Sequence, residues 1–74
     1  MKGGDTMTNT ELLRAEIQKA GLKYKYIAEQ LGLTPYGLQK KVENVTEFKA
    51  SEISALSKLL HFDDALMKAI FFAK

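Results

Sequence analysis

Three side chains within five residues, Tyr36, Gln39 and Lys40, carry the chemistry that stands out in this sequence. A phenol, a carboxamide and an ammonium are hydrogen-bonding groups of the kind that read nucleic-acid base edges. Glutamine can pair with adenine N6 and N7, and lysine with guanine O6 and N7. Tyrosine can contact a thymine methyl, stack, or bond a phosphate through its hydroxyl. Around them lie Lys23, Lys25 and Lys41, whose ammonium groups suit phosphates and give affinity without sequence information. The alternative for each lysine is an ordinary solvated side chain. Tyr26, beside Ile27, reads as rim packing on the core.

The charge is distributed in keeping with this. Segments 1–22 and 50–74 each balance their acids and bases, so the net +2 falls on residues 23–49. That stretch carries five lysines against Glu29, Glu43 and Glu47. A local basic surface favours phosphate contact.

Other chemistry is missing from the pattern. His61 is the single histidine and has no metal-ligand partner at suitable spacing; a histidine there reads as a helix cap. Asp63 and Asp64 are adjacent and diverge on a helix, so they do not form a catalytic dyad. No glycine-rich phosphate loop follows a strand. The expectation is a non-enzyme with no cofactor, no metal and no catalytic residue. There is no cysteine, which fits a reducing interior. The opening MKGGDT lacks the apolar stretch of a signal peptide, and AIFFA at 69–73 is too short to span a membrane. A cytoplasmic location is expected, with no membrane partner.

The elements that must position these groups can be read from spacing. At 74 residues and 46% hydrophobic content, one small domain is expected. Residues 1–7 read as a flexible tail and 8–74 as the domain. The first helix covers Met7 to Gly21, with Thr8 and Glu11 as a capping box and Met7 and Leu12 as its staple. Leu13, Ile17 and Ala20 form its inward stripe, while Glu11, Arg14, Glu16 and Lys19 read as solvated surface.

The second helix spans about Tyr24 to Leu31, with Ile27 and Leu31 on one face and small Ala28 allowing a close crossing. Gly32 ends it, Thr34 caps the third, and Pro35 opens that helix. The third runs to about Glu43. Taking Leu38 and Val42 as inward, Tyr36, Lys40 and Glu43 point outward, with Gln39 and Gly37 beside them. Gly37 reads as a close approach, either to a neighbouring helix or to a DNA backbone. This is helix-turn-helix spacing, whose second helix suits a major groove.

Phe48 and Ile53 bracket a fourth helix from about Ala50 to near His61. Phe62 and Met67 bracket a fifth, with Asp63 as its cap. No stretch alternates as a strand does. The fold class is therefore all-α.

From Leu12 to Phe72 the chain resembles the Cro and phage-repressor class of helix-turn-helix regulators, the five-helix, lambda-repressor-like XRE fold. The residues that carry the resemblance are YIAEQLGLTPYGLQKKV, with Ile27, Ala28, Gly32, Leu33 and Leu38 at the family's spacing. LQKKVENVTEFKASEI and the terminal AIFFA look like a subgroup of small prophage regulators from Gram-positive bacteria. The resemblance implies a compact DNA-binding domain that inserts its third helix into the major groove of an operator. Pro35 and Tyr36 then fall where bases are read, and Lys40 at another groove-facing position. Tyr24 matches a phosphate-holding site and Asn44 a backbone-contacting stretch. With Thr34 and the lysines at 23, 25 and 41, these complete the expected backbone contacts.

The chain departs from the family pattern at several positions. Lys41 stands where many members have an apolar residue, Lys23 and Lys49 replace caps, and Asn44 stands where glycine is common. One such helix reads only a few base pairs, so a homodimer on double-stranded DNA is expected, with Ile70, Phe71 and Phe72 as its seam. The alternative for those three is that they close the core. The alternative for the whole chain is a protein-interaction module on the same fold, binding a partner regulator.

Overall fold

A computed structural model describes residues 8–72, so the expected tail at 1–7 and the Met7 staple lie outside it. The described residues form five helices and no strand: α1 (Thr10–Ala20), α2 (Tyr24–Leu31), α3 (Pro35–Val42), α4 (Ala50–Leu60) and α5 (Asp64–Phe71). α2 packs on α3 and α4, while α1 crosses α3, α4 and α5.

α1 starts at a different cap from the one expected. Asn9 precedes it and accepts the Leu12 N–H at 3.1 Å. Asparagine is at least as good a cap as threonine. Thr8 is instead held by Asn44: its N–H donates to Oδ1 at 2.9 Å, and its carbonyl accepts from Nδ2 at 2.7 Å. Leu13 and Ile17 are buried, whereas Ala20, expected on the same stripe, is exposed.

α2 buries Ile27 and Ala28 completely. Gly32 closes it with φ 74°, and the Leu33 N–H returns to the Ala28 carbonyl at 2.8 Å. Only a residue at ease with positive φ completes this turn without strain. The chain then re-enters helix at once. Thr34 Oγ1 accepts the Gly37 N–H at 3.0 Å, and Pro35 supplies a first residue whose missing N–H costs nothing.

α3 buries Leu38 and Val42. It ends at Val42, one residue short of expectation, with Glu43 as its cap. Asn44 takes the left-handed conformation at φ 65°, and the Val45 N–H bonds back to the Lys40 carbonyl at 2.8 Å. The Thr10 hydroxyl donates to the Val42 carbonyl, so α1 helps satisfy the open end of α3.

α4 begins without a capping side chain on Lys49. Glu52 reaches back instead, and its Oε1 accepts the Lys49 N–H at 2.9 Å. His61 ends α4 in the left-handed region at φ 60°, and Asp63 caps α5 through the Leu66 N–H at 2.7 Å.

α5 corrects the expected seam. Ile70 is fully buried and Phe71 is 2% exposed. The Phe71 ring packs edge-on against Phe48, with centroids 5.4 Å apart, and tilted against Phe62. These two residues close the core, because a domain this small needs its aromatics inside. Phe72 alone of the three is open, at 46% exposure.

Candidate nucleic-acid interface

The inward anchors Leu38 and Val42 set the rotation of α3 about its axis, and the opposite side becomes the polar strip. Tyr36 is 70% exposed. One turn on, the Lys40 ammonium sits 5.3 Å from the centroid of the Tyr36 ring. The ring's negative face holds the cation, an attraction of about 0.5–1 kcal/mol at exposed sites.

The far end of the strip is arranged differently. Gln39 Nε2 donates to Glu43 Oε2 at 3.4 Å, and the Arg14 guanidinium reaches the same oxygen at 2.8 Å. Arg14, expected to be merely solvated, thus neutralises the acid that lies beside Gln39. Sequence reasoning missed this contact because Arg14 on α1 and Glu43 at the end of α3 are 29 residues apart in the chain.

Gly37 lies between these groups. A Cβ there would stand 3.1 Å from Thr34 Oγ1, with no other atom of the described residues outside its own helix and chain neighbours within 4 Å. No neighbouring helix requires the glycine, so that alternative falls away. A side chain there would press on the Thr34 cap by a few tenths of an ångström.

The expected phosphate contacts divide into two groups. Lys23 and Lys25 are exposed, flanking the start of α2. Thr34 is exposed and its oxygen serves as the α3 cap. Tyr24 is half-buried, its side chain resting against the core.

Lys41 and Asn44 differ from expectation. Lys41 Nζ lies 2.9 Å from Glu52 Oε1 and donates to the Glu47 carbonyl at 2.9 Å, with 12% of its side chain exposed. Its helical angle, about 60° from Leu38, already carries it to the inward side. Asn44 spends both ends of its carboxamide on Thr8. Both residues therefore hold structure together.

Glu52 is the buried acid of the domain, at 8% exposure. Burial pushes its carboxyl upward, but the Lys49 N–H, the Lys41 hydrogen bond and the charges of Lys41 and Lys49 outweigh that and hold it below the ordinary carboxylate value.

This chain matches no family model, no curated protein and no solved structure. Among the described residues no group of three or more His, Asp or Glu side chains could hold a metal ion, and no helix is long and apolar enough to cross a membrane. A groove of about 650 Å³ runs between α4 and α5 past Ile53, Met67 and Phe72, and shares no residue with the α3 strip.

Proposed function

We propose that this chain is a sequence-specific DNA-binding regulator. It docks the outward strip of α3 in the major groove of an operator, where it blocks or redirects polymerase. The observation that supports this reading is the Tyr36–Lys40 pair, with Tyr36 exposed and Lys40 half-buried, on the side of α3 opposite the fully buried Leu38 and Val42. α2 and α3, joined by the Gly32 corner, act as the helix-turn-helix.

Lys40 reads a guanine edge, and Tyr36 contacts a thymine methyl or stacks. Gln39 reads adenine once its weak bond to Glu43 exchanges for the base. Lys23 and Lys25, with the hydroxyls of Tyr24 and Thr34, meet phosphates at the N-terminal ends of α2 and α3, where the helix dipoles also favour negative charge. A strip of this size reads only a few base pairs. Two copies on half-sites about 34 Å apart supply the remaining specificity. Phe72 is the member of the expected seam left free to meet the second copy. As a regulator of the prophage type that its sequence resembles, it would act in the cytoplasm.

Salt-titrated binding to mixed DNA fragments tests the reading. Affinity falls steeply with salt, and a specific component survives competitor DNA. Tyr36→Ala with Lys40→Ala removes that component. An unchanged operator preference in the double variant would sink the groove assignment. An absence of any salt-sensitive binding would favour an interaction module on this fold.

A further inference from the structure

We infer that Glu52 is the positioning residue of the reading helix. Its carboxylate locks α3 to the start of α4 through Lys41 and so fixes the angle at which Tyr36 and Lys40 are presented. The inference rests on the DNA-binding reading above and adds a determinant of specificity that lies outside the contact surface.

Three bonds converge. Glu52 Oε1 lies 2.9 Å from Lys41 Nζ and accepts the Lys49 N–H at 2.9 Å. Lys41 Nζ also donates to the Glu47 carbonyl at 2.9 Å. One carboxylate oxygen thus gathers a side chain from α3 and the N–H of Lys49, the residue that precedes α4, while the connector's carbonyl takes a second bond from the same ammonium. α3 packs on α2 and α1, and this lock adds a tie to α4.

Lys41 follows Lys40 directly, so the two side chains leave the helix about 100° apart. The buried Leu38 and Val42 set the rotation of α3, which decides where Lys40 and Tyr36 point. Apolar attraction is non-directional, and drawing Lys41 inward refines that rotation. A hydrogen-bonded ion pair is directional. Buried pairs contribute little net stability against an apolar replacement, and their best-attested use is fixing a register.

The test compares wild type with Glu52→Gln, which keeps an oxygen for the Lys49 N–H but loses the charge that holds Lys41. In the free protein, amide spectra and hydrogen exchange report on α3 directly. The Tyr36–Val42 amides shift and exchange faster in the variant, while those of α1 stay in place. For recognition, the probes are the duplex that wild type enriches from a random-sequence pool and a scrambled duplex of the same composition. Both are measured at a temperature where circular dichroism shows the variant fully folded. Specific affinity falls about tenfold and scrambled-duplex affinity holds, so the ratio between them drops. Glu52→Asp with the ratio partly restored supports the lock.

Unmoved α3 amides, or a ratio equal to wild type in the folded variant, overturn the inference. If wild type enriches no duplex, the DNA-binding reading fails by itself, and the α3 amides still decide whether Glu52 positions the helix.

Discussion

The Lys40 ammonium rests 5.3 Å from the Tyr36 ring centroid, one turn along the same exposed side of α3. Neither residue is buried in the core, so the pair can be removed without opening a cavity. Tyr36→Ala with Lys40→Ala leaves unfolding free energy within about 0.5 kcal/mol of wild type in urea titration. A loss of several kcal/mol would place the pair in the fold rather than on a working surface.

Lys25 and Lys41 were both read from sequence as phosphate contacts, and their surroundings now separate them. Lys25→Ala lowers the slope of log affinity against log salt by about 0.9, the value for one phosphate contact on duplex DNA, at unchanged stability. Lys41→Ala leaves that slope alone and costs about 1–3 kcal/mol of folding, because Glu52 loses its partner. Equal salt slopes for the two variants would contradict the division.

Asn44 combines a left-handed backbone at φ 65° with a two-bond clamp on Thr8. Asn44→Ala meets both penalties and costs about 1–3 kcal/mol. Asn44→Gly relaxes the backbone and loses only the clamp, so it costs less. Thermal unfolding of the two variants orders them, and Gly falling below Ala would show that the strain is not there.

Acid should act through Glu52. Its folded value lies below the unfolded value near 4.5, so the ionised carboxylate stabilises the fold above that pH. The contribution is lost as pH falls from there through the lowered folded value. Unfolding midpoints measured down this range drop for wild type. The drop is smaller for Glu52→Gln, which has no proton to take up. Parallel profiles would remove Glu52 from the acid response.

Phe71 and Phe72 are neighbours with opposite duties. Phe71→Ala empties a site packed by Phe48 and Phe62 and costs about 3–5 kcal/mol, enough to unfold a domain this small. Phe72→Ala stays folded, and its effect appears in sedimentation as weaker self-association. A Phe72 variant that associates as wild type does would move the seam elsewhere.

Local signals were legible in the sequence and long-range ones were not. Gly32, Thr34 and Pro35 encode the corner between α2 and α3 within four residues, and α2 ends and α3 begins where those signals put them. Asp63 encodes the start of α5 in the same way. The α1 cap was misplaced by one residue because Thr8 with Glu11 and Asn9 are both good local patterns. Thr8 goes to Asn44, a residue distant in sequence. Lys41 carried a signal of its own, a charge at an inward angle. Its partner could be named only once the connector's path had brought Glu52 beneath α3. Ile70 and Phe71 show the limit of counting apolar residues, since an amphipathic helix reads alike whether its partner is its own core or another chain.

The Asn9 N–H donates to the Ile70 carbonyl at 2.6 Å. Entry to the first helix and exit from the last are thereby held side by side. A unit whose two described ends meet can be grafted into a surface loop of a host protein through short linkers.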